Sequence, residues 1–186
     1  MIESAKLVVL SGPSAVGKGT LAKFIIDNNS DFTLSISATT RPPRTGEVDG
    51  VSYLFVSEAV FSEMAESNEL LEWATVHGAH RYGTPKYPVL EALSLGQNVV
   101  LEIDVQGAFQ VKRSFPNAVL VFVNPPSFEE LESRMDKRGT ESLEDKLRRL
   151  ETAKTELSQS DSFDFQVIND EVARCAQEVV DLVKSK

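Results

Sequence analysis

The sequence has a single cysteine, Cys175, so no internal disulfide can staple the chain. No apolar run approaches the twenty or so residues that a bilayer-spanning helix needs. The first residues, Met1 to Lys6, lack the basic-then-apolar pattern of a secretory signal, which makes a reducing cytoplasm the expected compartment. Positive charge is also scarce. Nineteen Lys and Arg stand against 28 Asp and Glu, for a net charge of −9 and a pI near 4.8. Nucleic acids and acidic membranes need a broad positive surface, so neither is an expected partner. There is no internal repeat, low-complexity tract or evident linker, and 186 residues suffice for one domain with its own core. Any phosphate-rich ligand would therefore have to be met by cations gathered locally.

What is present follows an α/β order. Lys6 to Leu10 (KLVVL) reads as a buried strand, and Lys18 to Asp27 as a helix with apolar Leu21, Ala22, Phe24, Ile25 and Ile26. Phe32, Leu34 and Ile36 alternate as in a half-exposed strand. A Pro- and Gly-rich loop, TTRPPRTGEVDG, comes next, then a strand over 51–56 and a helix over 57–71. This middle stretch reads as an inserted α+β piece. Helical patterning returns over 89–95. Apolar strands are expected at 98–103, 119–123 and 165–168. Ser127 with Glu130 forms a capping box opening a helix towards Gly139, a second helix is expected over 142–157, and Asp170 is expected to cap a terminal helix.

Between the first strand and first helix lies Gly12-Pro13-Ser14-Ala15-Val16-Gly17-Lys18-Gly19-Thr20, which satisfies G-x-x-x-x-G-K in the strand–loop–helix context that the motif requires. Converging backbone N–H groups, a helix N-terminus and the Lys18 ammonium suit a triphosphate. Gly19 stands where a hydroxyl residue usually meets Mg²⁺, leaving the metal to phosphates and water, with Thr20 bonding a phosphate. By itself the loop selects only a nucleoside triphosphate, leaving GTPase, ATPase and kinase open. The absence of an N-K-x-D run disfavours a regulatory GTPase.

Three further clusters narrow the choice. Arg41 and Arg44, held among prolines, offer fork-shaped donors suited to a phosphate monoester, against the plainer reading of a basic surface loop. Glu72-Trp73 with Tyr82-Gly83-Thr84 could hold a base, although Trp73 reads as core. Six cations fall between Arg134 and Arg149: Arg134, Lys137, Arg138, Lys146, Arg148 and Arg149. Interspersed acids make a solvated helix face the alternative.

The runs GPSAVGKGT, SATTRPPRTGEVDGVSYLFV, LLEWATVHG, YGT, LEIDVQG and RMDKRGTES…RRL resemble the guanylate kinase family, collinearly from about Lys6 to Asp170. The resemblance implies a P-loop NTPase core with a parallel sheet flanked by helices (1–34, 91–125 and 158–186). It adds an inserted GMP-binding region over about 35–90 and a helical lid over about 126–157. It implies transfer of the ATP γ-phosphate to GMP or dGMP with Mg²⁺. By the family's pattern, Ser37, Arg41, Arg44, Tyr53 and Tyr82 match positions gripping the GMP phosphate, and Glu72, Thr84 and Glu102 match positions reading guanine. Glu102 stands where Asp is common. Asp104 resembles the acid that orients Mg²⁺ through water, Lys18, Arg44, Arg138 and Arg149 the groups that neutralise the transferring phosphate, and Asn169 a position near adenine. His77, His80 and Cys175 are given no role. Catalytically inactive scaffold domains and kinases for AMP or UMP are the rivals, and the oligomeric state is open.

Overall fold

The computed structural model describes residues 5–76, 80–136 and 143–185, with the backbone alone for 143–146. Its centre is a five-stranded parallel sheet, built from β1 (Leu7–Ser11), β2 (Phe32–Leu34), β7 (Asn98–Glu102), β8 (Val119–Asn124) and β9 (Phe165–Ile168) in the order β2-β7-β1-β8-β9. β1 is central, with Val8 opposite Val100 on one side and Val119 on the other. All five of its residues are buried, which explains why it reads as a continuous apolar run and not an alternating one.

Successive side chains of a strand point to opposite faces, and both faces are covered. Val8, Leu10, Val121 and Val123 pack under α1 (Lys18–Asn28), α5 (Phe128–Asp136), α6 (Leu143–Leu157) and α7 (Val172–Lys184). Leu7, Val9, Leu101, Leu120 and Phe122 pack under α3 (Lys86–Ser94) and α4 (Val105–Ser114). Cys175, Ala176, Val179, Val180 and Val183 form one buried stripe of α7. Burial pushes the Cys175 thiol up to about 11, in keeping with a packed, inert cysteine.

A second sheet of four short strands, in the order β4-β3-β6-β5, comprises β3 (Ala38–Thr39), β4 (Leu54–Phe55), β5 (Leu70–Val76) and β6 (His80–Pro85). Together with α2 (Glu58–Glu66) it encloses a separate small core of Ala38, Phe61 and Leu70. Its anchor to the main body is a two-way amide clasp. Gln110 on α4 donates from Nε2 to the Trp73 carbonyl at 2.9 Å and accepts from the Trp73 N–H at 3.3 Å.

Several boundaries differ from the sequence expectations. The helix expected over 57–71 stops at Glu66, because Asn68 adopts φ +56° and Leu70 and Leu71 enter a buried strand. The strand expected over 51–56 shrinks to Leu54–Phe55, since Asp49, Ser52 and Tyr53 close turns around it. Trp73 is 42 % exposed and meets Phe61 edge-on, so it is not core. Asp170 does not cap α7: the flanking residue is Glu171, and Asp170 instead pairs with Arg174 at 2.7 Å. Ser127 does accept the Glu130 N–H at 3.1 Å. The sequence reading also missed α4, whose first turn Asp104 caps through the Gly107 N–H at 2.7 Å.

Candidate active site

Parallel α/β sheets gather ligands at the carboxyl ends of their strands. Here the loop Gly12–Thr20 leaves the end of β1 and enters α1. Its path is fixed by close approach. A Cβ at Gly12 (φ +142°) would sit 2.4 Å from the Val123 carbonyl oxygen, and one at Gly17 (φ +97°) would sit 2.6 Å from Asn169 Nδ2. Neither position tolerates a side chain. The Lys18 ammonium donates back across the loop to the Gly12 and Pro13 carbonyls at 2.6 and 3.2 Å. A cleft of roughly 270 Å³ lies here, lined by Ser14, Ala15, Gly17, Lys18, Gly19, Thr20 and Glu102.

The loop is also held from below. Asn169 is buried, and its Nδ2 donates to the Val16 carbonyl at 2.9 Å. Arg134 donates to the same carbonyl and to that of Asn169, both at 3.2 Å. From α6, Arg149 donates to Ser14 Oγ at 2.5 Å. On that helix, burial pushes the Glu156 carboxyl up even though Lys18 is near. Sequence reasoning assigned nothing to Glu156 and counted Arg134 only within a charge run. Arg138 and Lys137 lie outside the described residues.

The small sheet carries a cluster of cationic and phenolic side chains. Arg41 is buried, with its guanidinium 5.5 Å from the Tyr53 ring centroid and 5.8 Å from that of Phe55. Its Nε donates to the Tyr82 hydroxyl at 3.1 Å. Arg44 is exposed at the rim, and Ser37 is the residue leading into β3. Burial raises the Tyr53 phenol, and the Glu102 carboxylate raises it further.

Deeper in, Thr84 Oγ1 donates to Glu72 Oε1 at 2.6 Å, with both residues buried. Burial, opposed by the Thr84 bond and reinforced by the Asp104 carboxylate, pushes Glu72 up to about 7. Gly107 makes room for it: a Cβ there would lie 2.7 Å from Glu72 Oε2 and 3.4 Å from Asp104 Oδ1. Asp104 thus stands beside Glu72. Glu102, in contrast, reaches the phosphate loop, where a Cβ on Gly19 would lie 3.0 Å from its Oε2. Glu102 therefore neighbours the phosphate loop and Asp104 neighbours Glu72, while Asp104 is also near enough to Glu156 to raise it and Glu102 near enough to Tyr53 to raise that phenol.

A phosphate loop at the end of a central parallel strand, with an arginine-and-tyrosine cluster on a second small sheet, is the layout of a P-loop kinase. The guanylate kinase family model matches residues 4–186. A guanylate kinase of Leifsonia xyli is 55% identical over 177 residues, spanning 95% of this chain and 70% of that protein. One of Caldanaerobacter subterraneus is 51% identical over 173 residues, spanning 93% and 84%. The crystal structure of guanylate kinase from Anaplasma phagocytophilum superposes with a TM-score of 0.81 at 28% identity, covering 98% of this chain and 86% of that one. The chain belongs to the guanylate kinase family. It is an enzyme, a nucleoside-monophosphate kinase.

Proposed function

We propose that this chain transfers the γ-phosphate of ATP to GMP, and to dGMP, in the cytoplasm. The donor phosphates lie along Gly12–Thr20 and the acceptor nucleotide lies against the small sheet. The observation that carries the choice of acceptor is the buried Glu72–Thr84 pair beside Asp104. Guanine offers N1–H and N2–H₂ donors next to its O6 acceptor, so a carboxylate edge and a threonine hydroxyl complement it. Adenine offers an acceptor at N1, which a carboxylate repels. A buried polar pocket of this kind rejects the wrong base strongly, because its groups are left unpaired.

In this reading Ser37, Arg41, Arg44, Tyr53 and Tyr82 take the GMP phosphate, and Glu72, Thr84 and Asp104 take the base. Asn169 acts as a brace for the loop, and adenine lies on the same side of the molecule. An oxygen of the GMP phosphate attacks the γ-phosphorus as the bond to the β–γ bridging oxygen breaks, giving GDP and ADP. No protein group is consumed, so the protein's task is alignment and charge neutralisation. Lys18, Arg44, Arg149 and Arg138 supply that charge. Residues 35–90 act as a closing acceptor region and 126–157 as a lid, which together exclude the water that would otherwise hydrolyse ATP.

Mg²⁺ fits the donor cleft. Among the described residues no group of three or more His, Cys, Asp or Glu forms a metal cage. The Glu102 carboxylate beside Gly19 and the Thr20 hydroxyl supply hard oxygen donors suited to an ion that arrives with its nucleotide and keeps its waters. Such an ion would neutralise the donor phosphates.

A coupled assay of ADP release with GMP, AMP or UMP as acceptor tests the reading. Turnover with GMP alone is expected. Equal turnover with AMP, or ATP hydrolysis without any acceptor, would overturn it.

A further inference from the structure

Two arginines three residues apart look interchangeable in the sequence, yet their surroundings differ sharply. Arg41 is 8 % exposed and Arg44 is open to solvent. The difference traces to Glu47. Its Oε2 accepts from Arg41 Nη1 at 2.9 Å and its Oε1 from Arg41 Nη2 at 2.9 Å, a two-pronged pair. Glu47 Oε2 also accepts the Arg44 backbone N–H at 2.7 Å, and the Glu47 N–H donates to the Arg44 carbonyl at 3.0 Å. Gly46, at φ +87°, provides the reversal that brings the carboxylate back over the turn.

The donors of Arg41 can be counted. Nε goes to Tyr82, one Nη1 hydrogen to the Pro42 carbonyl at 2.8 Å, the other to Glu47, and one Nη2 hydrogen to Glu47. Of five N–H groups, one remains. Its charge is offset by the Glu47 carboxylate, which the bond to Arg41 holds below the usual carboxylate range. Arg44, by contrast, has its backbone pinned by Glu47 while its guanidinium bonds to no other described side chain.

We propose that Glu47 is a positioning residue for the acceptor phosphate: it locks Arg41 as a fixed post carrying one directed donor, and it sets the turn from which Arg44 delivers the fork. This rests on the proposal that the arginine-and-tyrosine cluster receives the phosphate of GMP. Two similar cations then do different work. Arg41 orders Tyr53 and Tyr82 around it, and Arg44 brings the uncompensated charge.

Steady-state kinetics of Glu47→Ala, Arg41→Met and the double variant test this, with wild-type turnover of GMP as the control for the reading beneath it. A wild type that ignores GMP would sink that reading, whatever the variants do. Losing a charge-assisted clamp predicts a rise in KM for GMP of about 10- to 100-fold, with KM for ATP within about twofold of wild type. Because Glu47 acts through Arg41 and the Arg44 turn, Glu47→Ala should have a much smaller effect, about threefold or less, once Arg41 is gone. Glu47→Gln, which keeps an acceptor oxygen and the side-chain volume, should recover part of the loss and serves where the alanine variant folds poorly. Unchanged KM for GMP, parallel rises in both KM values, or full additivity in the double variant would each overturn the proposal.

Discussion

The two halves of the site are built from different materials. The donor half is backbone: glycines wedged against Val123 and Asn169, carbonyls gripped by Lys18, Arg134 and Asn169, and a loop seated on a fully buried strand. The acceptor half is side chains, namely Arg41, Glu47, Glu72, Thr84 and two tyrosines, on a small sheet whose core among the described residues is Ala38, Phe61 and Leu70. Backbone amides recognise any triphosphate, whereas a fork, a phenol and a carboxylate at fixed spacing recognise one nucleotide. Generic recognition can therefore share the protein's main core. Particular recognition sits on a lightly built sheet, tied down chiefly by β5 and the Gln110 clasp, where movement costs less.

The comparison breaks most sharply at Lys18. Lys18→Met should lower kcat by about 10³-fold or more, since a full charge on the transferring phosphate is lost from a water-poor cleft. GMP affinity, measured by titration without ATP, should stay within about twofold of wild type. Coupled loss of GMP binding would show that the halves are not separable. Phe61→Ala probes the other side. It empties the centre of the small core, which costs about 3 kcal/mol for a buried aromatic, and removes the ring beneath the Arg81 guanidinium, 4.7 Å away. KM for GMP should rise about 10- to 100-fold while binding of ATP stays near wild type. Hydrogen exchange should quicken in 38–85 and not in β1, β7 or β8, and quickening across both sheets would refute the division.

The donor half was legible in the sequence because its signal is local: a contiguous loop, an apolar strand before it and a helix after it. The acceptor half was legible in part, as an arginine pair suited to a phosphate and a carboxylate that could hold a base, and the resemblance was needed to join them into one site. Its strands are two to seven residues long, and β3 pairs with β6 past two intervening strands, so periodicity had too few residues to register. Glu47 was visible only as one letter in a turn-rich run, since its partner Arg41 depends on the turn folding back. Glu102 and Asp104 were within the right segment but their destinations were not readable. Glu102 is the last residue of β7, and Asp104 is already the cap of α4, a helix the sequence reading did not anticipate. Strand alternation alone would put both on one face. The break between strand and helix sends one to the phosphate loop and the other to Glu72.

Glu72 sharpens the comparison further, because burial holds its carboxyl near neutrality where, in the proposed function, it meets the base. Burial is the chief cause that pushes this carboxyl from 4.5 up to about 7. Guanine needs the ionised form, so GMP should displace a proton as it binds near pH 7. GMP affinity should rise about tenfold between pH 6 and pH 8 and then level off. Calorimetry at pH 7 in two buffers of different ionisation enthalpy should report the released proton. Stability should run the other way. The folded state binds a proton that the unfolded state has released between pH 4.5 and 7. Unfolding free energy therefore falls as pH rises through that window, by up to about 3 kcal/mol from this group. Glu72→Gln should remove both dependences, binding GMP more weakly but with an affinity flat in pH, and losing less stability than wild type from pH 5 to pH 8. A wild-type affinity flat between pH 6 and 8 would mean that guanine does not meet this carboxyl. A pH slope that survived in Glu72→Gln would mean that this carboxyl is not the group responsible.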